Sequence, residues 1–485
     1  MKTIRSLVLL LLAIPLALCP AQEENPYLTQ SAPKAPAGPG GDSFLTLTEH
    51  IIVPSDLLDS WLANHSMAKD ASELRTAAQK WIEEGTATID STALTAGTVG
   101  PSLANESIVE QIYATEYMPS PSPEDWTFAT SFETRNCGYS IDGNSVREQG
   151  ELVVRAENYF VRMLPHRAYD RVSEKTRQPD DIFIPRFRSI ATHQALAGFD
   201  ESYSDDPFAS ASPPPRTKTR PSYPAGKTHL ALRVDEDLPE PAIKWPLEEK
   251  RDDEAADPLP EDRPVRLIFV RSDKIDSPPE STEPLPADYQ LSVKLVSVDH
   301  LTLSAWLQGR DLATAAKEMN EVIETWNEDE KVNLISTLTG GVRNGTRTLL
   351  EDIKKLEYPT YYKPGKREPS ADGKSTQLGL AVPGDLETRN LGISLETEIS
   401  PGAGDPVMLL SLRRVLLGCY TVHHRVLRDG EWIADMTMPR FSENNWLTSL
   451  RVKKGEWMFV GSGSGFGEKG ELDPSRAVLA FVKVD

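Results

Sequence analysis

The chain has 485 residues, 39% apolar and 26% charged, enough hydrophobic material for real cores and enough length for two large β-rich units plus connectors. Its formal charge of −21 sets up a repulsive field against phosphate backbones and anionic headgroups, which excludes nucleic acid as an expected partner. An acidic surface also attracts divalent cations, but its ordinary meaning is solubility.

Lys2 and Arg5 precede an apolar run from Leu7 to Leu18, broken only by Pro15, and Cys19-Pro20-Ala21 supplies a small-residue cleavage site. Residues 1–21 therefore read as a signal peptide cut after Ala21, and the chain as an exported protein. The run is shorter than the ~20 residues that cross a bilayer and nothing later approaches that length, so no transmembrane helix is expected. Leu16-Ala17 stand at suitable positions for lipidation of Cys19, whereas Leu18 is a poor fit next to a lipidated cysteine. Loss of Cys19 leaves Cys137 and Cys419, which either pair in an oxidising compartment or serve as two buried thiols. Residues 22–43, rich in Pro, Ala, Gly and Gln, form a tether that lacks the apolar surface to fold.

Beyond the tether the chain says similar things twice. Phe132-Glu133-Thr134-Arg135-Asn136-Cys137-Gly138 is answered by Leu386-Glu387-Thr388-Arg389-Asn390-Leu391-Gly392, a shift of 254 (387 minus 133). Pro185-Arg186-Phe187 and Pro439-Arg440-Phe441 share that shift. Upstream, Trp61-Leu62 and Ser91-Thr92 match Trp306-Leu307 and Ser336-Thr337 at 245, and Glu110, Ile112, Glu116 and Tyr117 align with Glu351, Ile353, Glu357 and Tyr358 at 241. Two tandem repeats are predicted, residues 44–272 and 289–485, joined by a Pro-rich linker over 273–288.

Each repeat opens with a strand, Phe44–Ile51 or Tyr289–Val298, followed by helical spacing. Leu57, Leu58, Trp61 and Leu62 mark it in the first copy; His300–Leu307 and then Ala313, Ala316, Met319, Val322 and Ile323 mark it in the second. Short edge-like strands follow at Ser107–Tyr113 and Thr348–Ile353, then the Glu-Thr-Arg-Asn segments and further strands over Val407–Val415 and Tyr420–Leu427. Trp446–Val452 and Glu456–Gly461, joined by Lys453-Lys454-Gly455, read as a hairpin. Ile190–Leu196 and Thr228–Val234 read as its counterpart, with acidic, Pro-rich insertions over 199–226 and 235–263. Val265–Arg271 and Arg476–Val484 close the two copies. The fold class expected is α+β: two tandem repeats, each with a helical opening followed by a mostly antiparallel β-meander.

This arrangement resembles the C-terminal domain of bacterial secretins, the outer-membrane ring proteins of type II and type III secretion and type IV pilus systems. The resemblance rests on the helical opening, on a Gly heading an alternating strand (Leu391-Gly392-Ile393-Ser394-Leu395), on Pro439-Arg440-Phe441, and on the run from Thr448 to Gly461. In the first copy the corresponding residues are Cys137-Gly138-Tyr139-Ser140-Ile141 and Ala225-Gly226-Lys227-Thr228-His229-Leu230. It implies a secretin-like fold, a cell-envelope setting in the periplasm or at the outer-membrane periphery of a Gram-negative-type bacterium, and no catalytic residues. The family's series of small N-terminal ring-building domains is not seen here and the pattern occurs twice, so pore activity is not part of the implication.

The candidate chemistry is thin. His423-His424 is the only adjacent histidine pair, and neighbours on a regular strand face opposite sides, which argues against a shared metal. Gly461-Ser462-Gly463-Ser464-Gly465-Phe466-Gly467 lacks the Gly-Lys-Ser/Thr ending of a phosphate loop, and its Gly-x-Ser-x-Gly string has no histidine downstream; a flexible hairpin-end loop is expected. Asp252, Asp253 and Glu254 read as solvated. Arg135 with Arg389, and Glu133 with Glu387, read as ion-pairing residues at a strand entrance. No catalytic, cofactor-binding or metal-ligating residue is assigned, and no cofactor is expected. The expected function is a non-enzymatic exported envelope scaffold or assembly component, meeting protein partners or its own copies through strand edges. The alternative is a secreted module that binds polysaccharide or peptide through the acidic loops.

Overall fold

A computed structural model describes residues 43–65, 70–118, 128–148, 151–170, 181–197, 222–224, 226–235, 264–275, 287–329, 331–369, 373, 376–400, 406–428 and 431–485. The expected signal peptide, the tether up to residue 42, the centres of the linker and of both acidic insertions, and Asp252 to Glu254 lie outside these residues, whereas Ser43, expected as the tether's last residue, opens a strand.

The first half runs β1 (Ser43–Pro54), α1 (Ser55–Leu62), α2 (Ser72–Glu83), β2 (Thr88–Thr98), β3 (Ser102–Met118), β4 (Phe128–Glu148), β5 (Glu151–Asp170), β6 (Asp181–Ala197), β7 (Ser222–Pro224), β8 (His229–Asp235) and β9 (Pro264–Ile275). The second runs β10 (Asp288–Asp299), α3 (His300–Leu307), α4 (Leu312–Glu328), β11 (Val332–Arg343) and β12 (Thr348–Pro359). Four short strands follow, β13 (Tyr362–Lys363), β14 (Arg367–Pro369), β15 (Thr376–Leu378) and β16 (Val382–Pro383). Then come β17 (Leu386–Ser400), β18 (Val407–Arg428), β19 (Glu431–Arg451), β20 (Trp457–Phe466) and β21 (Leu472–Val484).

The expected α+β class with a helical opening is corrected: the molecule is mostly antiparallel β, in two large open sheets, with four helices among the described residues. The eight-stranded sheet has the order β11-β10-β21-β20-β2-β1-β9-β8, and the nine-stranded sheet the order β12-β17-β18-β19-β3-β4-β5-β6-β7. The helices are connectors between strands that pair directly, β1 with β2 and β10 with β11. They form where the sequence signals them: Asp299 and Asp311 cap α3 and α4 by accepting the N–H groups of Thr302 and Thr314. Their apolar sides cover one face of the eight-stranded sheet. Leu58, Leu74, Ala78 and Ile82 pack on Ile51, Val53, Ile89, Val265 and Leu267, and Met319 and Ile323 of α4 join the largest core cluster. Phe44, Ile268 and Val270 bury the opposite face against Tyr139, Ile141, Val154 and Phe160 of the nine-stranded sheet.

Every major ladder of the first half has a counterpart in the second. Ser43 faces Thr98 as Asp288 faces Arg343, a shift of 245 (288 minus 43), and the bulge after His50 recurs after Leu295. Thr46 faces Ser272 as Leu291 faces Val484. Gly138 faces Val161 as Gly392 faces Val415, Phe187 faces Met163 as Phe441 faces Leu417, and Phe269 faces Leu230 as Phe481 faces Phe459. The alignment at 241 needs correcting. Tyr113 lies opposite Glu133 as Tyr358 lies opposite Glu387, so Tyr358 answers Tyr113 rather than Tyr117, and Glu351 answers Glu106. Gly138 (φ 130) and Gly392 (φ 121) hold corresponding places where a side-chain carbon would overlap the carbonyl oxygens of Ser107 and Asp352.

The expected hairpin of Trp446–Val452 with Glu456–Gly461 does not form a ladder. β19 pairs with β18 and β3 in one sheet, and β20 with β21 and β2 in the other. The Lys453-Lys454-Gly455 turn carries the chain between layers, as the segment between β6 and β8 does in the first half.

Candidate functional site: a seam, open edges and a polar core layer

The halves meet where β19 pairs with β3, Phe441 opposite Glu110 through Leu447 opposite Ala104, and where β20 touches β2 at Gly461 and Thr95. The seam is built from small polar residues. Asn105 Nδ2 donates to the carbonyls of Leu94 at 3.0 Å and Ser462 at 2.8 Å, and Asn444 Nδ2 donates to Ser107 Oγ at 3.1 Å and Ser464 O at 3.0 Å. Ser462 Oγ donates to Thr92 O at 3.0 Å. Gly463 lets β20 approach this closely, because a side chain there would overlap Ser107 Oγ. The glycine-serine run expected as a flexible loop is thus a buried strand, its serines used as inter-half fasteners.

On the other face of the nine-stranded sheet, Arg389 of β17 reaches both Glu443 of β19, at 2.8 Å, and Glu110 of β3. β17 and β3 are three strand spacings apart, ~14 Å in a flat sheet, so the sheet curls strongly here. Arg413 completes the cluster on Glu443 at 2.7 Å, with Glu443 only 2% exposed. Asn445 Nδ2 and Ser140 Oγ donate to Glu106 nearby. Burial pushes the carboxyls of Glu106 and Glu110 up, and burial brings the Arg414 guanidinium down to about 10. Carboxylates here are held by guanidiniums, an amide and a hydroxyl, an arrangement that locks strands together.

A third feature emerges only from the matched registers. Between the sheets in the first half lie Thr48, His50, Tyr139, Asn158 and Arg266, all buried. Their counterparts in the second half are Val293, Leu295, Ile393, Leu412 and Val478, equally buried and all apolar. In the polar version Arg266 Nη1 sits 2.6 Å from Asp90 Oδ2, and its guanidinium lies 4.1 Å from the Phe160 ring. Tyr139 donates to Asp90, and its ring meets His50 edge-on at 4.7 Å. Thr48 Oγ1 donates to Asn158 Oδ1, and Asn158 Nδ2 to Thr192 Oγ1. Burial, then the Arg266 charge, holds His50 well below the usual imidazole range, so it stays neutral; burial, then Asp90, raises the Tyr139 phenol. Acid, guanidinium and phenol satisfy one another.

The residues singled out in the sequence separate accordingly. Arg389 is an ion-pair hub, whereas Arg135 stands 5.9 Å from the Phe187 ring. Glu387 accepts from Tyr358 Oη at 3.0 Å, and Glu133 from Tyr113 Oη at 3.4 Å. Cys137 and Cys419 are both free, and burial pushes the Cys137 thiol up to about 11. His423 and His424 sit at an irregularity in β18 that removes the strict alternation expected there. Glu443, Arg413, Asp90, Arg266 and Asp435 had no motif to reveal them; only strand register brings them to their partners. Among the described residues no three of His, Cys, Asp and Glu converge as a metal site, and no helix is long and apolar enough to cross a membrane.

The fold defines an antiparallel, two-sheet β protein whose ladders correspond between halves and whose sheets end in open strands. Compared with family models, curated proteins and solved structures, the chain finds no match.

Proposed function

We propose that the chain is a non-enzymatic, exported assembly component of a bacterial envelope, related in kind to secretin-type export proteins, that joins further copies of itself by strand addition at its open edges. The observation that carries this reading is the seam. It joins the β19 and β20 edge of the second half to the β3 and β2 edge of the first. The counterparts of those edges, β6 with β8 and β12 with β11, stand at or near the sheet ends, with only three-residue β7 beyond β6. Of these, β11 is the most receptive: twelve residues long, uncharged from Val332 to Val342, with Leu334 62% exposed. Natural edges are normally blunted by charge, as β12 is by Glu351, Asp352, Lys354 and Lys355, so an uncharged edge suits a pairing partner.

The test is the mass of the full exported chain by light scattering across concentration and salt. Association is expected, and it should strengthen as salt shortens the screening length from ~10 Å at 0.1 M to ~3 Å at 1 M and relieves the repulsion between acidic copies. Leu334→Lys with Thr337→Lys should return the protein to monomer without shifting its unfolding midpoint. A native chain that stays monomeric at high concentration and high salt overturns the reading.

A further inference from the structure

β12 ends the nine-stranded sheet, and its outer edge has no strand beside it among the described residues. Its charges run in a fixed order: Glu351 and Asp352, then Ile353, then Lys354 and Lys355, with Leu350 and Leu356 on either side. All four charged side chains are exposed, and none forms an ion pair among the described residues. The neighbouring strand offers them no opposite charge, since Ser394, Ile393, Leu391 and Asn390 of β17 stand across from Glu351, Asp352, Lys354 and Lys355.

This order is complementary to itself. Two copies of β12, antiparallel and centred on Ile353, set Glu351 opposite Lys355 and Asp352 opposite Lys354, each twice, and Leu350 opposite Leu356. Directly opposed unlike charges stabilise a strand pair, and like charges destabilise it. The register is therefore specified: moving the centre to Asp352 or to Lys354 places that charge opposite its own copy. The covered counterpart lacks the pattern. β3 carries Glu106, Ser107, Ile108, Val109 and Glu110 at the places of Glu351 to Lys355, and that stretch lies in the seam against β19. The two lysines thus belong to the free edge alone. β11 backs β12 in the other sheet, with Gly340 against the Leu350 side chain, and brings no charge between Val332 and Val342.

We propose that two copies of the chain pair β12 to β12 about a two-fold axis at Ile353, joining their nine-stranded sheets into one. The inference rests on the strand-addition reading of the open edges and adds a joint of another symmetry, in which one surface meets itself. The charges that blunt β12 toward other strands accept a second β12. Such a pair leaves the first-half edges, β6 with β8, free on both copies for further addition.

The experiment is sedimentation equilibrium of the full exported chain and of two charge-reversed variants at one fixed salt concentration. Lys354→Glu with Lys355→Glu makes the segment wholly acidic, and Glu351→Lys with Asp352→Lys makes it wholly basic. Each variant alone should pair at least ~10-fold more weakly than the native chain, the basic one even though its net charge falls to −17 (−21 plus 4). An equimolar mixture should restore pairing, because every acid of one copy then faces a lysine of the other. Ile353→Cys in a Cys419→Ser background should give a covalent dimer on oxidation, since this register sets the residue opposite itself. Unfolding midpoints near the native value show that the variants fold. The inference is overturned if either variant alone pairs as tightly as the native chain, if the mixture stays unpaired, or if Ile353→Cys yields no covalent dimer. Native chains that associate despite one of those results do so at another edge, which leaves strand addition standing; native chains that never associate overturn both.

Discussion

Replacing Asp90 by Ala tests whether the polar layer of the first half is held together by its ion pair. Arg266 is 3% exposed, faces the Asp90 carboxylate at 2.6 Å and lies against the Phe160 ring. Removing one partner of a buried pair typically costs ~3–5 kcal/mol, because the remaining charge is poorly solvated. Asp90 itself is 23% exposed, so water reaches the vacated place, and the lower end, ~3 kcal/mol, applies. At a urea slope of ~3 kcal/mol per molar, that lowers the midpoint by about 1 M. The second half supplies the control, since its counterparts of Asp90 and Arg266 are Ile335 and Val478. Asp90→Ile with Arg266→Val and Tyr139→Phe, which also removes the hydroxyl that the pair satisfies, should stay within ~1 kcal/mol of the native chain, since apolar residues replace buried pairs at little net cost. Equilibrium urea denaturation followed by tryptophan fluorescence reads both variants. A single mutant indistinguishable from native, or a triple mutant that falls as far as the single, refutes the reasoning.

Gly138→Ala and Gly392→Ala should each cost ~2–3 kcal/mol, because positive φ and the facing carbonyls of Ser107 and Asp352 leave no room for a side chain; full tolerance at either place, read by urea midpoint, would contradict their equivalence. Glu106, raised by burial and by Glu443 and Asp142, binds its proton more tightly folded than unfolded. Its ionisation therefore takes stability away as pH rises from 4.5 through its raised folded value, and the deficit persists above. Glu106→Gln should match the native chain at pH ~4 and exceed it at pH ~7.5; an unchanged difference between the two pH values would sink the assignment.

The residues that announced the correspondence between halves sit where both copies need the same backbone. Gly138 and Gly392 must be glycine, and the Trp-Leu pairs lie on the corresponding helices α1 and α3. The class was misjudged because α1, α3 and α4 give a strong periodic signal, whereas β3 carries Glu106, Glu110 and Glu116 through a 17-residue strand and reads as a seven-residue fragment. Glu110 is tolerated because Arg389 reaches across the curled sheet to it, a contact between strands that are not neighbours, and Glu106 because Asn445 and Ser140 donate to it. The same holds at the end of the β18–β19 ladder. His424 and Asp435 are eleven residues apart on facing strands, and the bulge that aims both histidines at β4 follows from ladder geometry that alternation rules do not contain. The polar layer was invisible for a different reason: His50, Asp90, Tyr139 and Arg266 are unremarkable singly, and only the apolar counterparts in the second half mark them as a departure.

The seam also constrains what an assembly of copies can look like. It joins two different edges, so it is heterologous, and forming it leaves the counterpart of each edge exposed on the opposite half. A two-fold dimer needs one surface meeting itself, whereas joints of this type pass from copy to copy and end only when their rotation closes a ring. The intermolecular joint cannot repeat the seam's chemistry side chain for side chain, because Ser462 and Asn105 are answered by Arg233 and Leu350. Backbone pairing must then supply most of the contact, which makes the joint weaker than the seam. Dissociation at low salt should therefore leave chains whose two halves remain together, and halves that still co-elute in the monomer fraction after proteolytic nicking are the result this argument requires.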